Sequence, residues 1–292
     1  MSHAAAHQEA SRSCEATLYV VATPIGNLRD ISLRALDVLK GVDAIAAEDT
    51  RITRRLLVHY GIDKPLIAVH EHNERRAVTR ILSLLRAGQS IALTCDAGTP
   101  AISDPGPILV AAVREAGYTV MPVPGANAAL AALAASGLNA PHFLFFGFLP
   151  PKPAARRNAL EELASLPFTL VFYEAPHRIV ACLQDMDETL GSARRVVIAR
   201  ELTKVFETFH TCELGQATRW IREDENRSRG EFVLIVEGAK ARKPESQDAR
   251  RMLEALLAEL PLKQAVDLAA AISGGRRNEL YKIALAIKSR ES

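Results

Sequence analysis

The stretch SIALTCDAGTPAISDPGPILVAAVREAG, residues 90–117, decides the fold class. SIALTCD (90–96) reads as a buried strand, and PILVAAVREAG (107–117) as a helix. Between them lies a segment dense in Asp, Gly, Pro, Ser and Thr. A strand that runs through a turn-rich loop into a helix is the repeating unit of parallel α/β sheets. The question it raises is what a chain does with so much loop chemistry at a strand tip.

The same alternation extends outward in both directions. Upstream, LYVVAT (18–23), DAIAAED (43–49) and LIAVHE (66–71) read as strands. ISLRALDVLKG (31–41), TRRLLVHYG (53–61) and NERRAVTRILSLLRAG (73–88) read as helices between and after them. Downstream, TVMPVPG (119–125) is a strand and ANAALAALAASG (126–137) an Ala-rich helix. Beyond Asn139–Pro141 the pattern changes. HFLFFGFLPP (142–151), FTLVFYE (168–174), RRVVIARE (194–201), KVFETFHT (204–211) and GEFVLIVEG (230–238) are strand-like, with helices over 152–166 and 176–191. Strands that cluster late in this half predict antiparallel or mixed pairing.

A polar, breaker-rich segment follows, and then two or three short helices with Pro261 and Gly274–Gly275 between them. The expected organisation is a disordered tail over 1–16, an N-terminal α/β domain over 17–138 and a second α/β domain over 139–238. A linker over 239–248 and a helical, helix-turn-helix-like domain over 249–292 complete it.

At 292 residues the chain is long enough for about two domains with real cores. Its 48% hydrophobic and 24% charged content is ordinary for a globular protein. The net charge is +2, yet residues 240–292 alone hold eleven Lys/Arg against seven Asp/Glu. Cys14, Cys95, Cys182 and Cys212 form no CxxC pair and match no zinc signature, so reduced thiols and no metal are expected. The first fifteen residues lack an apolar signal-peptide core, and no apolar run approaches the roughly 20 residues of a membrane span. A cytoplasmic protein without a membrane partner is expected.

No GxxxxGK[ST] is present, and the first strand ends in TPIGNL, not GxGxxG. Ligands of open α/β sheets nonetheless sit outside the carboxyl ends of the strands. Three loops rich in small residues fall there: ATPIGN (22–27), CDAGTPAISDPG (95–106) and PVPGANAA (122–129). Small residues let a ligand approach backbone groups closely, although Gly and Pro also serve simply to turn strands into helices.

TLYVVATPIGNLRDISLRALDVL, AAEDTRITRRLL, DAGTPAISDPG, PVPGANAALAALAASGL, FYEAPHR, ARELTKVFET and GEFVLIVEG, in order over about residues 17–238, resemble the RsmI subgroup of the tetrapyrrole-methylase superfamily. The C-terminal segment resembles that subgroup's small helical domain. The resemblance implies two α/β domains of the tetrapyrrole-methylase type with a small C-terminal helical domain. It implies S-adenosyl-L-methionine (SAM) in the interdomain cleft and a homodimer. It further implies an RNA-binding transferase of rRNA processing, which methylates the ribose 2′-hydroxyl of a decoding-centre cytidine in 16S rRNA of the small ribosomal subunit. Cobalamin-pathway members carry a GxGxG-like first loop and a GDP-like third-strand loop. TPIGN and DAGTP stand there instead, which argues against a porphyrinoid substrate. A porphyrinoid or other small-molecule methylase is the first alternative, and a non-catalytic nucleic-acid-binding regulator the second.

Motif alignment then assigns residues. Pro24 and Ile25 match the first-loop position that approaches the donor. Asp96 is expected against the SAM amino or ribose groups, or else as an Asx-turn acceptor. Ala97, Gly98 and Thr99, with Asn127 and Ala128, complete that wall, and Tyr173 and Phe232 flank the adenine or methionine side. Adjacent acids point to opposite faces of a strand, so only one of Glu48 and Asp49 can enter a cleft, and Asp49 or Thr50 can cap a helix. Glu48, His177 and Lys204 are the candidate catalytic groups. His177 has a suitable proton affinity but can equally be a surface residue. Lys204 serves as base if desolvated, or holds a phosphate. Arg51, Arg178, Arg200, Arg276 and Arg277 are candidate substrate contacts, as are the pairs Arg54–Arg55 and Arg156–Arg157, against the ordinary reading of a solvated helix face. Two guanidinium groups at a helix start oppose the dipole, so the Gly-Gly-Arg-Arg turn (274–277) needs a phosphate or another anion.

Overall fold

A computed structural model describes residues 16–70, 73–239, 246–273 and 275–291. Most of the expected tail with Cys14, most of the linker, and Gly274 lie outside the described residues. The chain forms two compact units, Met1–Gly238 and Ala239–Ser292.

The first unit holds two sheets. In the first, β1 (Thr17–Val21), β2 (Ala44–Ala47), β3 (Leu66–Ala68), β4 (Ile91–Thr94) and β5 (Thr119–Val123) lie in the order β3-β2-β4-β1-β5. All four pairings are parallel. AIAA in β2 and IALT in β4 are buried at every position, which is why they read as unbroken runs. The connecting helices are α1 (Leu33–Gly41), α2 (Thr50–His59), α3 (Glu74–Arg86) and α4 (Pro107–Glu115). Ala35 and Leu39 of α1 and Leu56 and Leu57 of α2 pack on one face. Ile81 and Leu85 of α3 and Leu109 and Val113 of α4 pack on the other. The neighbours β1 and β4 therefore send their following helices to opposite faces. That divergence opens a crevice at their carboxyl ends.

The helix α5 (Ala128–Ala135) leads to the second sheet. Its strands are β6 (Phe143–Phe148), β7 (Thr169–Glu174), β8 (Arg195–Arg200), β9 (Thr208–Glu213) and β10 (Phe232–Val236), in the order β6-β7-β10-β8-β9. β6 and β7 are parallel and the other pairs antiparallel, the mixed pairing expected. The helices α6 (Pro153–Leu163), α7 (Ile179–Leu190) and α8 (Leu214–Arg222) cover one face. Ala129 and Ala132 of α5 cover the other, against Val171, Val197 and Val233. Between α6 and α7, Arg156 and Asp185 form a buried ion pair at 2.6 Å, joined by Arg157 at 3.0 Å. Arg156 is thus a buried structural clamp, and Arg157, partly exposed, shares its carboxylate.

One strand is misplaced by the sequence reading. KVFETFHT was expected as a strand from Lys204, but β9 begins at Thr208. Residues 201–207 form a tight loop, with Glu201 and Thr203 at positive φ and Val205 and Phe206 exposed. Only Leu202 of the loop enters the core, against α5 and the second sheet.

In the second unit, α9 (Ser246–Glu259), α10 (Leu262–Ser273) and α11 (Arg277–Glu291) bury Leu253, Val266, Ala269, Leu280, Ala284 and Ile287 against each other. α9 starts within the expected linker, at Ser246, because Ser-Gln-Asp is helix-start chemistry. Among the described residues no helix is long and apolar enough to cross a membrane.

Candidate active site

The turn-rich loop after β4 is folded against the loop after β1. The Thr23 N–H donates to the Gly98 carbonyl at 2.8 Å, and the Gly98 N–H donates back to Thr23 at 3.1 Å. The Thr23 hydroxyl also donates to the Cys95 carbonyl at 3.1 Å. Gly98 stands at φ +90°, a conformation that favours glycine. Ala101 and Ser103 also take positive φ, so the loop holds two strained non-glycine residues.

Beside this pair of hydrogen bonds, on the Gly98 side, lies a cavity of about 370 Å³, within the size range of small-molecule sites. Its first wall is Asp96, Ala97, Gly98 and Thr99, with Glu48 beside them. Its second is Ile25, Asn127 and Ala128, and its third Tyr173, Phe232 and Val233 at the tips of the second sheet. All the residues expected at the donor therefore converge, except Pro24. Pro24 lines a smaller groove that shares Asp96 with the cavity.

The acids on the first wall hold one another's backbone. The Asp49 N–H donates to Asp96 Oδ1 at 2.9 Å, and the Asp96 N–H donates to Glu48 Oε2 at 3.3 Å. Asp49 itself caps α2, accepting the Arg51 N–H at 2.8 Å. Glu48 enters the cavity and Asp49 does not, as strand alternation requires. Burial raises the Glu48 carboxyl above its ordinary range; the Asp96 N–H opposes this, and the charges of Asp96 and Asp49 add to it. Burial likewise raises Asp96. Tyr173 joins the walls: its hydroxyl accepts the Ala129 N–H at 3.2 Å.

Sequence reasoning missed Asp104, although it stands within the quoted loop. It lines the cavity, and burial, with the charge of Glu48 adding, pushes its carboxyl up to about 6. The signal was an acid flanked by breakers near a strand tip, indistinguishable in sequence from an ordinary turn residue. The folded state holds the Asp104 proton more tightly than the unfolded chain does. Stability should therefore fall as pH rises from the ordinary 3.8 to about 6. Asp104→Asn should raise the melting temperature near pH 7 and barely alter it near pH 4. Equal shifts at both pH values in calorimetry would refute this origin. Leu202 and Glu231 were also missed, because nothing in their own segments marks them; Glu174, beside Tyr173 in FYEAPHR, lines the cavity too.

The remaining candidates are placed elsewhere. His177 is exposed and off the cavity wall, although Ala175 and Pro176 line it. Lys204 is gripped by Glu201 at 2.8 Å and Glu231 at 2.9 Å. Burial draws its proton affinity down, but these two carboxylates outweigh burial and hold it up, the wrong direction for a base. Arg178 lies 3.1 Å from the buried Glu174 and donates to the Leu149 carbonyl at 2.5 Å. Arg200 donates to the carbonyls of Asn226, Arg229 and Phe206. Both are struts between loops: Arg178 on part-buried carbonyls and Arg200 on exposed ones, because one guanidinium supplies five donors. Arg51 is exposed but folded back on Asp49 at 2.6 Å. In the second unit Arg276 is exposed, and Arg277 pairs with Asp267 at 2.5 Å. A carboxylate, not a phosphate, thus meets one charge of that turn. Among the described residues no group of His, Cys, Asp and Glu could hold a metal ion.

Comparison with known proteins agrees with this geometry. The model of the tetrapyrrole (corrin/porphyrin) methylases matches residues 17–218, and that of the RsmI C-terminal HTH domain matches 243–288. The ribosomal RNA small subunit methyltransferase I of Escherichia coli O157:H7 is 53% identical over 280 residues, covering 96% of this chain and 98% of its own. The methyltransferase CobJ shares the fold with a TM-score of 0.59 at 19% identity, over 77% of this chain and 95% of its own. Uroporphyrin-III C-methyltransferase from Thermus thermophilus, solved with S-adenosyl homocysteine, has a TM-score of 0.54 at 20% identity, over 76% of this chain and 97% of its own. The chain belongs to the tetrapyrrole methylase family, in the branch that carries the RsmI C-terminal domain.

Proposed function

We propose that the chain is a SAM-dependent methyltransferase of ribosomal RNA, acting on the ribose 2′-hydroxyl of a decoding-centre cytidine in the 16S rRNA of the small subunit. The supporting observation is the cavity's mixed lining: the carboxylates of Glu48, Asp96 and Asp104 near the signature loop, with Glu174 and Glu231 at its other edge, and the apolar or planar groups of Ile25, Ala128, Tyr173, Phe232 and Val233 between them. Such a site fits a ligand that is cationic at one end and planar at the other. When bound, SAM supplies a methyl group on a positively charged sulfur. The chain's own part is to hold both reactants in line, which supplies most of the rate, because the leaving group is neutral. Asp96 and Glu48 favour the positively charged donor over its uncharged-sulfur product, which assists release. Asp104, whose carboxyl burial pushes up to about 6, lines the same cavity and adds to its negative field once ionised. The relatives that carry this reading are rRNA methyltransferases by name. We further propose that it works in the cytoplasm as a homodimer, with Arg276 among its RNA contacts.

Small ribosomal subunits, incubated with the protein and SAM labelled in the methyl group, should acquire label that digestion recovers as 2′-O-methylcytidine. Label on a base, or uptake only by a corrin precursor, would overturn the assignment.

A further inference from the structure

The groove that contains Pro24 runs from the cavity to the outer face of α2. Thr23, Pro24 and Leu28 of the first loop form one side, Ile52 and Arg55 of α2 the other, with Cys95 and Asp96 also lining it. Its volume is about 170 Å³. Asp96 is shared with the donor cavity, and Arg55 is shared with a shallow outer depression lined by Arg51, Arg54 and His59. The Tyr60 hydroxyl, just past α2, donates to the Leu28 carbonyl at 2.5 Å and so ties α2 to the first loop. Arg54 and Arg55 differ from Arg51, Arg178 and Arg200. Arg178 and Arg200 are spent on carbonyls and Arg51 on Asp49, but Arg54 and Arg55 are exposed and bond to no group among the described residues.

We infer that this groove is the nucleotide site of the substrate: one ribose lies between Pro24 and Ile52 with its hydroxyl edge toward Asp96, and the flanking phosphates lie on Arg54 and Arg55. This rests on the reading of the reaction given above and adds where the RNA sits. The charge distribution sets the direction. Glu48, Asp96 and Asp104 repel phosphates from the inner end, and the unpaired guanidinium groups attract them at the outer end. An RNA strand can therefore present only its uncharged hydroxyl edge to the donor. The apolar side walls accept a sugar face, and the narrowness excludes a flat macrocycle.

The test measures binding of purified small ribosomal subunits to wild type, Arg54→Ala/Arg55→Ala and Arg114→Ala over a range of salt. Arg114, exposed in the last turn of α4, controls for loss of a positive charge away from the groove. The double variant should bind about tenfold more weakly, and its slope of log affinity against log salt should flatten by about 1.4, roughly 0.7 for each lost contact to single-stranded phosphate. SAM affinity should be unchanged, and Arg114→Ala should match wild type. Wild-type affinity and slope in the double variant, or an equal loss in Arg114→Ala, would overturn the groove, even if methyl transfer to RNA proceeds. Loss of RNA affinity in the double variant, with no methyl transfer by wild type, would keep the groove and overturn the reaction.

Discussion

Replacing Asp96 by alanine should weaken SAM binding by roughly tenfold to a hundredfold, the worth of a charge-assisted contact of about 1.5–3 kcal/mol. Asp96 ends the strand run that opens the signature loop, and it faces both the cavity and the side groove. Its carboxylate accepts the Asp49 N–H, so it is held in place before any ligand arrives. Two effects can be separated. Asp96→Asn keeps an acceptor for that N–H but removes the charge. If attraction to the sulfonium matters, SAM affinity should fall in both variants, whereas affinity for S-adenosyl homocysteine, whose sulfur is neutral, should fall less. Titration calorimetry reads both. Unchanged SAM affinity in Asp96→Ala would remove the donor from this cavity.

Glu74→Ala should lower the unfolding free energy by about 3 kcal/mol, as a urea midpoint shifted at constant slope. Glu74 lies in the first turn of α3, yet its side chain is buried. Its Oε1 accepts the N–H groups of Gly106 and Leu109, both at 3.0 Å. These are free donors at the start of α4, and a carboxylate there also suits the helix dipole. Truncation strands two buried N–H groups and releases the end of the signature loop, so donor affinity should fall with stability. Glu74→Gln retains an acceptor and should lose clearly less. A Glu74→Ala protein as stable as wild type would show that α4 needs no such cap.

Glu74 also marks the limit of what the sequence discloses. In an amphipathic helix it reads as one more surface charge, because its partners lie 32 and 35 residues away. The strands of the first sheet were legible for the opposite reason. AIAA and IALT carry their burial in their own composition. The cavity walls were legible where a family motif carries them, as in DAGTP and FYEAPHR. The arginines were not: Arg178 stands at the start of α7 and Arg200 ends β8, positions where a phosphate contact and a strut for carbonyls look alike. Lys204 shows the same ambiguity, since Glu231, which helps to set its charge, comes from another segment. The Val205–Phe206 error has a related cause. A short apolar run suits a strand, but the positive φ of Glu201 and Thr203 and the bond from the Thr203 N–H to Glu207 turn the chain there.

The contacts between the two sheets' loops carry one last consequence. A Cβ on Gly26 would come within 2.6 Å of Lys204, and one on Gly147 within 2.6 Å of Ser103. The Thr203 hydroxyl accepts the Asn27 N–H at 3.0 Å. The tips of both sheets are thus interlocked at glycines that leave no slack. A cleft built this way is pre-organised: filling it demands little ordering of the protein, and the entropy lost on binding falls mainly on the ligand.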